Sequence, residues 1–458
     1  MNGQRVLNHV PWTLADAVGR LRRRELSSVE LTRAYLDRID RFDGRLGAYV
    51  TRLDDEALGA ADTADRALDA GGRGRLLGVP IAIKDIIATR EANTWSNSEV
   101  DRPEWTARRD AQAVARLRSA GAVILGKLTT NEYALGGPDP GKRFPVPHNP
   151  WNVGRTAGGS SSGSAIAVAA GLCAGALGTD TGGSVRVPCA FNGVTGLLPT
   201  FGRVPADGVV PLAWSMDRVG PMARTAQDCA VLTDVLTAAP AGTERPSTYD
   251  LTGLRVGIVN ATLATTDTDP AAVAAMDTAS AVLAGRGAQV SAVTLPRYDQ
   301  TVAAAVLSLF GEAFDAHRDL LADHWGEYGR ETRLALVRGA FVSAADYTRA
   351  QRVRALVQRE LADVFARVDV LIMPTVTIGA PERAGLFESD VLRHVHTFYW
   401  NAVSNPVLAA PGGFTAERMP IGLQFVAAPF QDDLLLAVGQ AFQSMSDHHL
   451  AVPAEVAV

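Results

Sequence analysis

Apolar residues recur at three- and four-residue spacing through Thr13–Glu25 and again through Leu31–Ile39, the pattern of helices with one buried face. Between them, Ser27-Ser28-Val29-Glu30 offers a capping box, in which a serine hydroxyl takes an orphan amide and a glutamate reaches back. A third helix is expected over Asp54–Ala70, ended by Gly71-Gly72. The period then changes. Val79–Ile83 is a short apolar run with Pro80 near its start, bounded by Gly78 and Asp85, as a buried strand allows. A helix over Ala111–Ala120 and a strand over Ala122–Leu125 follow, and another β-α alternation is expected through Thr181. Ala165–Gly178, about 14 residues of mostly Ala and Gly, reads as a buried helix.

Past a Gly- and Pro-rich loop at Thr200–Leu212, strands are expected at Leu254–Val259, Gln289–Leu295, Val368–Met373 and Ile421–Val426. Long helices are expected at Pro270–Ala284, Val302–Leu321, Ala344–Ala366 and Asp432–Ser446. Strands spaced by helices over this length predict an α/β protein with helices on both faces of one large sheet. Pro240, Gly242, Pro246 and Ser247 make Ala238–Tyr249 the weakest joint, an excursion or a lobe boundary.

Composition narrows the function. At 47% hydrophobic and 20% charged over 458 residues, the chain can bury a large core and is too apolar to be largely disordered. The net charge is −5, and the only basic block is Arg22–Arg24, so nucleic acid is not expected as a partner. Three cysteines without C-x-x-C spacing suit a reducing cytoplasm and supply no metal site. The Ala165–Gly178 run falls short of the roughly 20 residues that cross a bilayer, and Met1–Val10 has no apolar core, so neither a membrane segment nor a secretory leader is expected. The basic residues are 41 Arg and only three Lys: Lys84, Lys127 and Lys142. Arginine keeps its proton; lysine can give it up, and a lysine ending a buried apolar run is where desolvation favours the neutral amine. Lys127 and Lys142 read as solvated surface charge.

Gly154–Gly202 holds 12 glycines in 49 residues. Two segments stand out: Gly158-Gly159-Ser160-Ser161-Ser162-Gly163-Ser164 and Gly178-Thr179-Asp180-Thr181-Gly182-Gly183-Ser184. The first contains G-x-S-x-G around Ser161, the nucleophile-elbow pattern, but no apolar strand precedes it. A phosphate-cradling loop would need G-x-x-x-x-G-K-[ST], which is absent. A serine activated by something other than histidine, beside free backbone N–H groups, is the third reading.

Gly78–Asp85, Gly158–Ser164, Gly178–Pro188, Gly193–Thr200, Gly202–Val204, Asn401–Gly413 and Pro420–Gln424, in this order, resemble the amidase signature family. The resemblance implies an amidase-signature fold, one large mixed β-sheet sandwiched between layers of α-helices. It implies a single domain over 1–458, with a helical N-terminal part at 10–75, a signature core at 76–235 and a C-terminal part at 250–450 on the same sheet. By the same resemblance Lys84 is the catalytic base, Ser160 the bridging serine after a cis peptide bond, and Ser184 the nucleophile. The N–H groups of Thr181, Gly182, Gly183 and Ser184 would form the oxyanion hole. Tyr133, Gly136, Gly137 and Arg203 would contact substrate, with Asn131–Gly137, Thr200–Trp214 and His394–Asn405 shaping the pocket. Asp180 and Arg186 are expected to brace the loop as a buried ion pair, Ser162 and Ser164 to hydrogen-bond within it, and Cys173 and Cys189 to be buried small apolar residues. Ser161 is left to the relay or the loop, and His394 and His396 to the pocket or to solvent.

The implied activity is hydrolysis of carboxylic amide C–N bonds through an acyl-enzyme, by a Ser-cisSer-Lys triad that needs no metal or cofactor. Carbamates, aryl esters and anilides would be cut by the same attack. Glutamine-using amidotransferase subunits place an Asp several residues before the equivalent of Asn401; here that place falls near His394, which weakens the amidotransferase reading. The expected partner is a small-molecule amide or carbamate, with a homodimer left open. A non-catalytic binding protein on the same scaffold is the rival from another class, disfavoured by retention of Lys84, Ser160 and Ser184.

Overall fold

A computed structural model describes residues 13–100, 102, 109–240, 250–263, 267–384 and 391–457. Among these residues eleven strands form one mixed sheet: β1 (Tyr49–Arg52), β2 (Pro80–Lys84), β3 (Val123–Leu128), β4 (Gly175–Asp180), β5 (Thr195–Leu198), β6 (Arg218–Ala223), β7 (Arg255–Ile258), β8 (Gln289–Ala292), β9 (Val370–Pro374), β10 (Val407–Phe414) and β11 (Pro420–Ala427). Their order is β1-β3-β2-β4-β6-β5-β10-β11-β9-β7-β8. The flanks are parallel, β3-β2-β4 on one side and β9-β7-β8 on the other, and the antiparallel strands β6, β5, β10 and β11 join them.

The N-terminal helices form as the pattern predicts, over Leu14–Arg22, Ser28–Leu46 and Asp54–Asp69. The capping box is made: the Glu30 amide donates to Ser27 Oγ at 3.0 Å and the Ser27 amide to Glu30 Oε2 at 2.8 Å. Leu31, Tyr35 and Ile39 bury the apolar stripe of the second helix. The long C-terminal helices also form, at Pro270–Ala284, Tyr298–His324, Ala344–Phe365 and Asp432–Gln443.

The Ala165–Gly178 run is not one helix. A helix covers Ser162–Ala169, the chain turns with Gly171 at φ +65°, and Gly175 begins β4. Gly and Ala are poor strand formers, so it is hydrogen bonding to β2 on one edge and β6 on the other, not propensity, that makes the second half a strand. β6 carries Gly220 and Pro221, which argue against a central strand in sequence, yet it lies between β4 and β5. Of the joint at Ala238–Tyr249, residues 241–249 lie outside the described residues.

From β2 the chain lays β3 on one side and then returns to lay β4 on the other, so the carboxyl ends of β2 and β4 flank a point where the connections diverge. Such a point leaves a crevice at the strand ends. Lys84 is the last residue of β2 and Asp180 the last of β4.

Close packing behind this crevice yields a stability contrast. A Cβ at Gly163 would run into the Ala48 carbonyl and the Thr129 backbone, whereas Gly59, exposed on the helix Asp54–Asp69, has open space. Gly163→Ala should destabilise the protein by about 1–3 kcal/mol, and Gly59→Ala should stabilise it by about 0.5–1 kcal/mol. Urea unfolding of the two variants checks the opposite signs.

Candidate active site

Lys84 is buried, and its Nζ lies 2.7 Å from Ser160 Oγ, 2.9 Å from Thr179 Oγ1 and 3.5 Å from the Thr179 carbonyl. Among the described residues its hydrogen-bond partners are hydroxyls and a carbonyl, not a carboxylate. Burial therefore pushes the Lys84 ammonium down to about 7, against the pull of the Asp180 and Asp217 charges. Burial thus favours the free amine at the end of β2.

Ser160 follows a cis peptide bond from Gly159. Its carbonyl accepts from Thr130 Oγ1 at 3.0 Å and from the Asn131 amide at 3.3 Å, which fixes the segment against the end of β3. The next amide, of Ser161, donates to the Ser184 carbonyl at 3.1 Å and ties the two Gly/Ser segments together. Ser161 Oγ bonds the Thr179 amide and carbonyl, each at 3.2 Å, and Ser164 Oγ donates to the Leu177 carbonyl at 3.0 Å. Both serines pin the helix Ser162–Ala169 to β4. Ser161 touches neither Lys84 nor Ser184 through its hydroxyl, so the elbow reading has no support in the geometry. Ser162 Oγ is buried and makes no hydrogen bond among the described residues, contrary to the loop bonding expected of it.

Asp180 organises the turn that follows β4. Its carboxylate accepts from the Gly183 amide at 2.8 Å and the Val185 amide at 3.1 Å, from Arg186 Nε and a terminal nitrogen at 3.0 Å each, and from Asn401 Nδ2 at 2.8 Å. Burial alone would raise this carboxyl, but Arg186, Asn401 and Arg218 hold it well below the usual carboxylate range. The expected ion pair is present and completely buried.

One assignment changes as a result. The Gly183 N–H points to Asp180 and is not available to a ligand. The N–H groups of Thr181, Gly182 and Ser184 make no hydrogen bond among the described residues, and all three residues line a cavity of about 450 Å³. Gly183, at φ +136°, is required for another reason: a Cβ there would collide with Thr397, whose hydroxyl donates to the Gly182 carbonyl. Ser184 is half-buried on the cavity wall, and its hydroxyl makes no hydrogen bond among the described residues.

Gly136 and Gly137 line the same cavity, together with Asn131, Leu212, Val395 and Phe398 from the three expected regions. Tyr133 and Arg203 do not. Left-handed backbone at Tyr133 and Ala134 turns the Tyr133 ring into the core, 4.5 Å from the His317 ring, with its hydroxyl on the Val100 carbonyl. Arg203 pairs with Asp432 at 2.8 Å and Asp433 at 3.1 Å and leaves the cavity. His394 and His396 are buried, held by Thr377 at 2.9 Å and Tyr298 at 2.8 Å, and neither lines the cavity nor faces solvent. Sequence reasoning missed Thr179, although it lies inside a singled-out segment, and Asp217, whose carboxylate accepts from Thr181 Oγ1 at 2.5 Å. It also missed Glu331 and Arg383 on the cavity wall, for which no motif gave a signal.

The other two lysines are not solvated charges either. Lys127 is fully buried, 2.9 Å from Asp85 Oδ1 and 3.0 Å from Thr94 Oγ1, and Lys142 is mostly covered, 2.9 Å from Glu132. Lys127 pairs in register with Ile83, so it lies on the sheet face opposite Lys84. Lys127→Met should cost about 3–5 kcal/mol, because it leaves the Asp85 carboxylate buried without its cation. Asp85→Asn in that background should recover part of the loss. Chemical denaturation of the single and double variants measures both, and a surface-like cost below about 1 kcal/mol would refute the pairing.

The Amidase family model matches residues 30–436. The chain is 38% identical over 479 residues to a glutamyl-tRNA(Gln) amidotransferase subunit of Roseiflexus castenholzii, with 96% of this chain and 97% of that protein covered. Among solved structures it superposes on the peptide amidase of Stenotrophomonas maltophilia with a TM-score of 0.81 at 29% identity, covering 96% of this chain and 98% of that one. It superposes on the corresponding glutamyl-tRNA(Gln) amidotransferase subunit of Thermotoga maritima with a TM-score of 0.77 at 25% identity, covering 95% of each. A Lys-Ser site at the strand ends, the mixed eleven-stranded sheet and these full-length similarities agree: the chain belongs to the amidase family, the enzymes of the amidase signature.

Proposed function

We propose that this protein hydrolyses carboxylic amides through an acyl-enzyme on Ser184, with Lys84 as general base and Ser160 passing the proton between them. The observation that carries this reading is the buried Lys84 amine, 2.7 Å from Ser160 Oγ and without a carboxylate hydrogen-bonded to it. A free amine there accepts the Ser160 proton as Ser160 accepts that of Ser184, and Ser184 Oγ bonds to the amide carbon. The carbonyl oxygen, now negative, faces the N–H groups of Thr181, Gly182 and Ser184. The C–N bond breaks as the relay returns the proton to the leaving nitrogen, and water then cleaves the ester by the same path. The relay requires a Ser184–Ser160 hydrogen bond, which is not formed in this structure; such bonds often tighten only in the complex with substrate.

A second reading, an amidotransferase subunit taking ammonia from glutamine, is favoured by the names of the most similar relatives, at 34–38% identity along nearly the whole chain. The same acyl transfer would start that reaction. Two features support the hydrolase instead. His394 stands where the resemblance places the carboxylate that holds glutamine's amino group, and it is turned onto Thr377. The cavity beside Ser184 is walled largely by apolar side chains such as Leu135, Val187, Phe191, Leu309 and Phe398, which suits an apolar acyl group. Carbamates and anilides would enter by the same mouth.

Assaying the purified chain alone on aliphatic amides, anilides, aryl carbamates and glutamine separates these readings. Release of amine or ammonia from the apolar amides without added protein is expected. Turnover of glutamine alone, and only after partner subunits are supplied, would replace the hydrolase reading with the amidotransferase one.

On whichever substrate turns over, Ser184→Ala should abolish the rate while the melting temperature stays near wild type. Ser160→Ala and Lys84→Arg should each lose about 100- to 10,000-fold; the guanidinium keeps its proton. Since burial pushes the Lys84 ammonium down to about 7 and the neutral form would be the base, kcat/KM should rise as pH climbs through about 7 and level off in mild alkali. A Lys84→Arg enzyme with wild-type rate and profile would remove Lys84 from the relay.

A further inference from the structure

The cavity beside Ser184 has two charged side chains among its described lining residues, Glu331 and Arg383. Arg383 is occupied in part: its guanidinium lies 2.6 Å from His148 Nδ1. Glu331 is not. Its carboxylate is exposed and makes no ion pair or hydrogen bond among the described residues. The neighbouring Arg333 turns away, donating to the Trp325 carbonyl and stacking over the Trp325 ring.

The position of Glu331 is nonetheless built. It sits in the first turn of the helix Arg330–Val337, and the turn before that helix is anchored by the Gly329 amide on Glu132 Oε2 at 2.7 Å. Glu132 is itself buried and paired with Lys142, and it adjoins Asn131 on the cavity wall. The opposite side of the contact is stripped of side chains. A Cβ at Gly137 would collide with the Glu331 carboxylate, and one at Gly136 with Thr332. The two glycines therefore let the carboxylate lie directly over the loop and form part of the wall.

We propose that Glu331 is a specificity-determining residue that receives an ammonium group of the substrate, so that the preferred substrates are amides bearing a primary amine on an aliphatic stem. This rests on the reading that the cavity beside Ser184 receives the amide. The apolar wall accommodates the stem between the reacting carbonyl and the cation. Because Glu331 is open to water, the preference is modest and salt-sensitive.

The test is a binding measurement, independent of turnover. In the full-length Ser184→Ala protein, calorimetry would compare a series of ω-amino amides with the neutral alkanamides in which CH₃ replaces NH₃⁺. The best amino amide should bind about three- to fivefold more tightly than its neutral twin at low salt. That preference should shrink in strong salt, vanish with Glu331→Gln and reverse with Glu331→Lys. Equal affinities, a preference for the neutral twin, no detectable binding of any amino amide, or a preference that survives Glu331→Gln overturns the proposal. If the preference holds while no amide is hydrolysed by the wild-type chain, the hydrolase reading fails and the binding assignment stands.

Discussion

A lysine amine buried among hydroxyls is the constraint around which this molecule is arranged. Two lysines stand on the adjacent parallel strands β2 and β3, both sealed from water. Lys127 meets Asp85 and is a structural ion pair, whereas Lys84, on the other face of the sheet, meets Ser160 and Thr179 and has its ammonium pushed down to about 7. The same residue type in the same sheet is thus held in two different electrostatic settings, and the difference is the partner each strand end supplies.

The amine is held by Ser160 and by Thr179 of β4, and the turn that follows β4 is braced by the Asp180–Arg186 pair. Arg186 also donates to Gln424 Oε1 and to the Thr397 carbonyl, so one guanidinium joins the turn carrying Ser184 to β11 and to the segment leading into the helix Phe398–Val403. Arg218 reaches from β6 to the Pro199, Trp400 and Asn405 carbonyls. Two buried arginines therefore couple the front of the chain to its last third. Asp180 has a second effect: it takes the Gly183 amide, while the amides of Thr181, Gly182 and Ser184 in the same turn make no hydrogen bond among the described residues.

Much of this was legible in sequence, unevenly. The helices with one apolar stripe, the Ser27–Glu30 capping box, the strand ending at Lys84 and the two Gly/Ser segments stand where their patterns place them, because each depends on neighbours a few residues away. The strand at Gly175–Asp180 was not legible, nor was β6 with Gly220 and Pro221, since these segments become strands only through the edges offered on either side. Lys127 read as surface charge because nothing local announces that Asp85 waits on the next strand.

The sequence by itself determined which residue types could do the chemistry: a lysine ending an apolar run, serines set among glycines, and an Asp-Arg pair six positions apart, all within local reach of the backbone that carries them. Only the tertiary structure decided which of these groups face one another. It set Lys84 against Ser160, 76 positions away in the chain, and turned Tyr133 and Arg203 out of the cavity. It also brought Glu331 over Gly137. The physical reason is that desolvation and hydrogen-bond distance are properties of packed neighbours, and for these residues the neighbours come from remote strands and helices.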